Sequence, residues 1–196
     1  MSTLSVIKQY MKIIATKLKR EMSAMNKKFP LIYLLLTVPS LAFSHATFEN
    51  KSVTSGAYYK GVIGIGHGCQ GSTTTRITVE IPEGVQRAKP MPKPNWNVDV
   101  VKEKLSVPYT AYGKKYAEDV RKIIWSGGGL LDQNFDEFTF RAKIAVSPQT
   151  LYFPTRQECV SGEIYWHEIP AVGKNAHDYK SPAPSLKVLK GSAHHH

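Results

Sequence analysis

The sequence predicts an all-β chain from His45 onward, folded as an antiparallel sandwich. Three observations predict it. Helical periodicity is almost absent from that region, short alternating segments recur along it, and Gly, Pro, Asn and Asp punctuate the gaps between them.

Taken in order, Val62 to Ile65 is a short apolar run, and Arg76 to Ile81 sets Ile77, Val79 and Ile81 against Thr78 and Glu80. Lys89 to Pro94 alternates Pro with Met91 and Lys93, so it is expected as an extended loop or edge, because Pro cannot donate to a central ladder. Asn95 to Val101 alternates Trp96, Val98 and Val100 against Asn97 and Asp99, which predicts a half-buried strand. Val120 to Trp125 follows, and Gly127, Gly128 and Gly129 then predict a sharp connection. Glu137 to Ile144 has the clearest pattern: Phe138, Phe140, Ala142 and Ile144 share one face, with Glu137, Thr139, Arg141 and Lys143 on the other. Leu151 to Phe153 and Glu163 to Glu168 bring the count to about seven strands, which suits an immunoglobulin-like β-sandwich in a single domain. A last apolar run, Leu186 to Leu189, closes the chain, and a closed barrel is the alternative architecture.

The ends are expected to be processed. Lys27 and Lys28 precede an apolar run from Phe29 through Phe43, and Ala42 and Ser44 stand where a signal peptidase needs small residues. Cleavage is therefore expected after Ser44. The run is too short and too Pro-broken for a retained membrane anchor. Met1 to Ala24, with five basic residues among Ile and Leu, reads as an amphipathic surface helix, an overlong leader, or residues ahead of a true start at Met25. Residues 1–44 thus form an extension and signal peptide, 45–190 the domain, and 191–196 a purification tag.

The whole chain carries a formal +11, but without residues 1–44 about +5 remains. That excess, with no Arg-rich run, does not call for a nucleic-acid partner. Two cysteines, Cys69 and Cys159, in an exported chain favour a disulfide, the alternative being a free thiol pair that binds soft metal. No nucleophile elbow, phosphate loop, dinucleotide fingerprint or His-x-x-x-His pair is present, and the neighbours Asp136 and Glu137 point to opposite faces of a strand. An enzyme is not expected.

Chemistry concentrates at the expected new terminus. A first-residue His45 offers its α-amine and its imidazole Nδ1 to one metal ion, and ordinary pKa values of about 7.7–8.0 and about 6.5 let both shed a proton near neutrality. Such nitrogen ligands suit Cu(II). His67 lies between glycines in Gly64–Ile65–Gly66–His67–Gly68–Cys69–Gln70–Gly71, uncrowded and beside flexible backbone; it reads either as a ligand or as a solvated side chain at a strand end. His167, in phase with Glu163 and Tyr165, is expected at the surface, and His177 in a polar loop. Trp96, Trp125 and Trp166 are expected in the core.

The run His67–Gly68–Cys69–Gln70–Gly71–Ser72, the segments VEIPEGV (Val79 to Val85) and KPMPKPNW (Lys89 to Trp96), and the pieces around Trp125, Asp136, Phe153, Cys159, Trp166 and Pro182 together resemble the YcnI-like domain of exported bacterial copper proteins, in a proteobacterial-type variant with a GHGC motif. The resemblance implies an immunoglobulin-like sandwich that holds Cu(II) in a single-histidine brace, aided by a glutamate and a tryptophan. By position the brace is His45 and the tryptophan Trp166. The glutamate's place falls within His67–Gly68–Cys69, where no carboxylate stands. His67 is therefore expected as the substitute ligand, with Glu80 or a water as alternatives. The expected role is copper trafficking or buffering in the periplasm, with other periplasmic or membrane copper-transport proteins as partners. A copper oxidase of the lytic polysaccharide type and a metal-free structural or adhesion module are the competing readings.

Overall fold

The computed structural model describes residues 12–17, 19–20 and 45–191. The chain divides into two compact units, Met1–Ala42 and Phe43–His196. Of the first unit, the described residues are helical. The expected leader at 26–44 and most of the tag lie outside the described residues, and no described helix is long and apolar enough to cross a membrane.

The second unit is a β-sandwich. In chain order its strands are β1 (Thr47–Phe48), β2 (Ser52–Thr54), β3 (Tyr58–Ile65), β4 (Thr74–Glu80), β5 (Val85–Pro90) and β6 (Asn97–Ala111), followed by β7 (Lys114–Leu130), β8 (Asp136–Ile144), β9 (Thr150–Tyr152), β10 (Thr155–Cys159), β11 (Glu163–Trp166) and β12 (Ser185–Leu189). One sheet runs β1-β3-β8-β5, the other β11-β10-β4-β7-β6, and a small third sheet runs β2-β12-β9. The inward residues follow the period of two: Ile63 and Ile65 of β3, Phe138 and Phe140 of β8, Ile77 and Val79 of β4, and Ile123 and Trp125 of β7 are all buried. Trp125 meets Phe138 across the gap, ring centroids 5.6 Å apart and edge to face, so the two main sheets close on a single aromatic core. Phe48, on the short strand β1, enters the same core against Phe140 and Phe153.

The sandwich expectation holds, with corrections. Among the described residues twelve strands replace about seven, because the short strands β1, β2 and β10 carry too few alternations to stand out in the sequence, and β5 and β12 read there only as an extended loop or edge and as an apolar run. Gly127, Gly128 and Gly129 form no connection: they lie inside β7, where a register shift opposite Thr74 and Arg76 accommodates them. Glycine is needed there because Trp96 lies on the backbone; a Cβ on Gly128 would sit 2.1 Å from the Trp96 ring. Trp96 itself precedes β6, and Val100 is exposed, so the alternation from Asn95 marks an edge strand with a weakly covered inner face. Strands β6 and β7 extend beyond the core as a two-stranded ribbon to a turn at Tyr112–Gly113. Lys89 and Pro90 end the edge strand β5, as their prolines imply, and β11 stops at Trp166, short of Glu168.

Two outcomes follow from this packing. Gly128→Ala should lower stability by about 1–3 kcal/mol, the usual cost of overpacking, and chemical denaturation of the variant checks it. Burial, reinforced by the charge of Glu49, pushes the Tyr59 phenol far above its ordinary value; burial and the bond to Asp119 do the same to Tyr109. The folded chain therefore keeps protons that the unfolded chain releases, and stability present below about pH 10 should fall as pH rises above it. Denaturation midpoints at pH 9 and pH 11 measure that loss.

Candidate functional site

The Gly-rich segment after β3 becomes a tight hairpin tip. Cys69 and Ser72 exchange two backbone hydrogen bonds, 3.1 and 3.0 Å, around Gln70 and Gly71, both at positive φ, the signature of a type I′ turn. Gly68 must lack a side chain, since its Cβ would fall 1.9 Å from the Ser72 carbonyl oxygen. Its N–H donates to Asp132 Oδ1 at 3.0 Å.

The tip is fastened to the other sheet. Cys69 and Cys159 form a disulfide with Cα atoms 6.0 Å apart, so neither thiol is free for a soft metal. Beside it, Gln157 of β10 is wholly buried and its Nε2 donates to the His67 carbonyl at 2.7 Å and to Thr74 Oγ1 at 2.6 Å. Its Oε1 has no partner among the described residues. Ser72 Oγ accepts from Ser161 N at 2.9 Å, completing the join.

His67 is half-buried, with Nδ1 2.5 Å from the Gly68 carbonyl oxygen, which can only accept, so that Nε2 is the ring nitrogen not engaged by this contact. His45 approaches from β1. The register pairs Phe48 with Ile63 and Thr47 with Gly64; carried two residues further, it sets His45 opposite Gly66, directly before His67. The neighbouring Ala46 is buried and His45 half-buried, so the backbone is anchored up to that residue. Both histidines lie at the same end of the four-stranded sheet, His45 two residues ahead of β1 and His67 two residues after β3.

The other sequence expectations are placed as follows. Trp166 is buried on the inner side of β11, opposite Thr155 and two register positions from Gln157. Glu80 lies at the far end of β4, accepting from the Tyr165 hydroxyl at 3.1 Å on the face opposite to that of Ile77 and Val79. Gln157 shares the inner face, so Glu80 is directed away from the His67 loop. His167 is exposed, stacked on Tyr165 with centroids 4.4 Å apart, and His177 sits in a capped, exposed 3₁₀ turn at Ala176–Asp178. Sequence reasoning missed two residues. Gln157 falls within the family-like piece around Cys159 and was not singled out, although its alternation with Thr155 marks it as inward. Asp132, the carboxylate tied to the His67–Gly68 turn, gave no signal, being 64 residues away in sequence. Among the described residues, no group of three or more His, Cys, Asp and Glu side chains is arranged to hold a metal ion.

A family model described as "Domain of unknown function (DUF1775)" matches residues 45–188. No curated protein matches the chain. A solved structure described as "Crystal structure of an uncharacterized protein from Nocardia farcinica reveals an immunoglobulin-like fold" is similar at 21% identity, over 74% of this chain and 97% of that one, with a TM-score of 0.57. At that identity the likeness shows the immunoglobulin-like fold.

Replacing Gln157 with Leu should lower stability by about 1–3 kcal/mol, because the His67 carbonyl and Thr74 hydroxyl lose a buried donor. Urea denaturation under oxidising conditions, with the disulfide intact, reads this directly.

Proposed function

Since this chain belongs to the DUF1775 family, and residues 45–188 are the family's domain, we propose that it is an exported protein that binds Cu(II) as cargo through a brace formed by His45 once cleavage after Ser44 frees its α-amine. The observation that supports this reading is the β1–β3 register, Thr47 opposite Gly64 and Phe48 opposite Ile63, whose continuation by two residues would set His45 level with Gly66, next to His67. The amine and Nδ1 of His45 close one chelate. The Nε2 of His67 is the third nitrogen, its Nδ1 being engaged with the Gly68 carbonyl. Nitrogen donors of this type favour Cu(II) over the other divalent first-row ions.

The fit rests on the donors rather than on a preformed side-chain cluster. A brace takes one ligand from the main chain, so it needs fewer side chains than a zinc or iron site of the usual kind. Asp132 is the carboxylate tied to this loop, and Glu80 faces elsewhere. Trp166 is proposed as the covering ring, two register positions along from the Gln157 that holds the His67 carbonyl. The disulfide suits an oxidising compartment, in line with a periplasmic role in copper trafficking or buffering.

Competition titration tests the reading on protein that begins at His45 by mass and lacks the C-terminal histidines. It should take up one equivalent of Cu(II). One extra residue ahead of His45 should weaken binding at least about 100-fold, about 2.7 kcal/mol, and His67→Ala about tenfold. An absence of stoichiometric uptake would favour the metal-free structural module. Copper-dependent peroxide formation with ascorbate would favour the oxidase.

A further inference from the structure

On the flank of the sandwich away from the His67 tip, a groove of about 620 Å³ opens between β5 and β8 of one sheet and the β6–β7 ribbon of the other. Its volume falls in the range of small-molecule sites. Four cations line it: Arg87 and Lys89 from β5, Arg141 from β8 and Lys102 from β6. Among the described residues none of the four is in an ion pair. Asp119 is the one carboxylate in the lining, and it is buried and committed. It accepts from Arg87 N at 2.8 Å, the Tyr109 hydroxyl at 2.6 Å and Val120 N at 2.8 Å. The ribbon's other acids, Glu103 and Glu118, are exposed and do not line the groove.

The arginines are fixed by rings instead of by acids. Arg141 lies 4.6 Å from the centre of the Tyr58 ring, and Arg87 lies 4.6 Å from that of Tyr112 while donating to the Tyr58 hydroxyl at 3.0 Å. Tyr58 and Tyr112 are themselves joined, hydroxyl to hydroxyl, at 2.8 Å. Arg87 also stands at φ +52, a left-handed conformation that a side chain rarely takes and that the Asp119 bond holds in place. Stacking orients a guanidinium without consuming its in-plane N–H donors, so the exposed Arg141 keeps its donors for an anion, whereas Arg87 gives one to the Tyr58 hydroxyl and buries its Nε. Planar forks of this kind match phosphate oxygens in pairs. Lys89 and Arg141 are register neighbours, whereas Lys102 belongs to the opposite sheet, so the cations reach the groove from both of its walls.

We propose that this groove binds an organic phosphate carrying at least two anionic groups, one held by Arg87 and Arg141 and one reaching Lys102. The same chemistry is offered by a soluble sugar bisphosphate and by a phosphate-bearing lipid headgroup. The site is separate from the copper reading and stands without it.

The full chain, titrated calorimetrically with fructose 1,6-bisphosphate at pH 8 and about 0.15 M salt, where screening removes most long-range attraction, tests the soluble source. Flotation with vesicles of phosphatidylcholine containing phosphatidic acid tests the lipid source. Arg141→Gln is the informative variant, because Arg141 is exposed and is in no ion pair among the described residues, and an unchanged denaturation midpoint verifies that the variant is folded. Lys174→Gln, in an exposed loop outside the groove, is the control. Saturable binding in either arm that Arg141→Gln weakens at least about tenfold and Lys174→Gln less than twofold supports the site, and the arm that responds names the source. Equal effects of the two variants, no binding in either arm, or equally tight binding of succinate would overturn it.

Discussion

The arrangement depends on one buried cross-link between the sheets. Gln157, on β10, holds the His67 carbonyl that ends β3 and the Thr74 hydroxyl that begins β4, and the Cys69–Cys159 disulfide lies beside it. A buried carbonyl without a donor costs about 1–3 kcal/mol, so the amide is as much a condition of the tip's position as the covalent bond. The disulfide closes a 90-residue separation, which in the chain-entropy model contributes about 4–5 kcal/mol. Together they fix where the Gly-rich segment leaves the sheet, and hence where His67 stands.

From that anchor the end of the sandwich can be followed outward. Strand β1 is only two residues long, yet Phe48 binds it to the core through three aromatic contacts and Ala46 is buried behind it. The backbone is thus well seated as far as Ala46, which is what the proposed chelate, made from a main-chain amine at residue 45, would require. At the opposite flank the same sandwich leaves its edge strands β5 and β6 open, and lines the space between them with cations held by tyrosines. The Gly-rich, disulfide-held end and the cation-lined flank are thus built from different elements of one scaffold.

Much of the fold was legible in the sequence because it rests on alternation. Phe138, Phe140, Ala142 and Ile144 lie inward as their spacing requires, and the prolines near Lys89 place β5 at an edge. Three glycines at 127–129 misled, since glycine serves a close approach as readily as a turn, and only the position of Trp96 decides between them. The proposed partnership of His45 with His67 came through family resemblance; the β1–β3 register that supports it depends on pairing between strands, which no local pattern encodes. Asp132 and the Arg87–Tyr58–Tyr112 cluster are likewise products of long-range contact, and of these positions Arg87 and Tyr112 take a left-handed φ, +52 and +50, that their residue types do not favour.

The central claim is that a freed His45 amine and the His67 ring meet one copper ion. Electron paramagnetic resonance of the tag-free protein beginning at His45, loaded with one equivalent of Cu(II), tests it most directly. The account predicts a single axial species with nitrogen hyperfine structure that simplifies in His67→Ala and is replaced by another species when one residue precedes His45. An identical spectrum in all three proteins would contradict it.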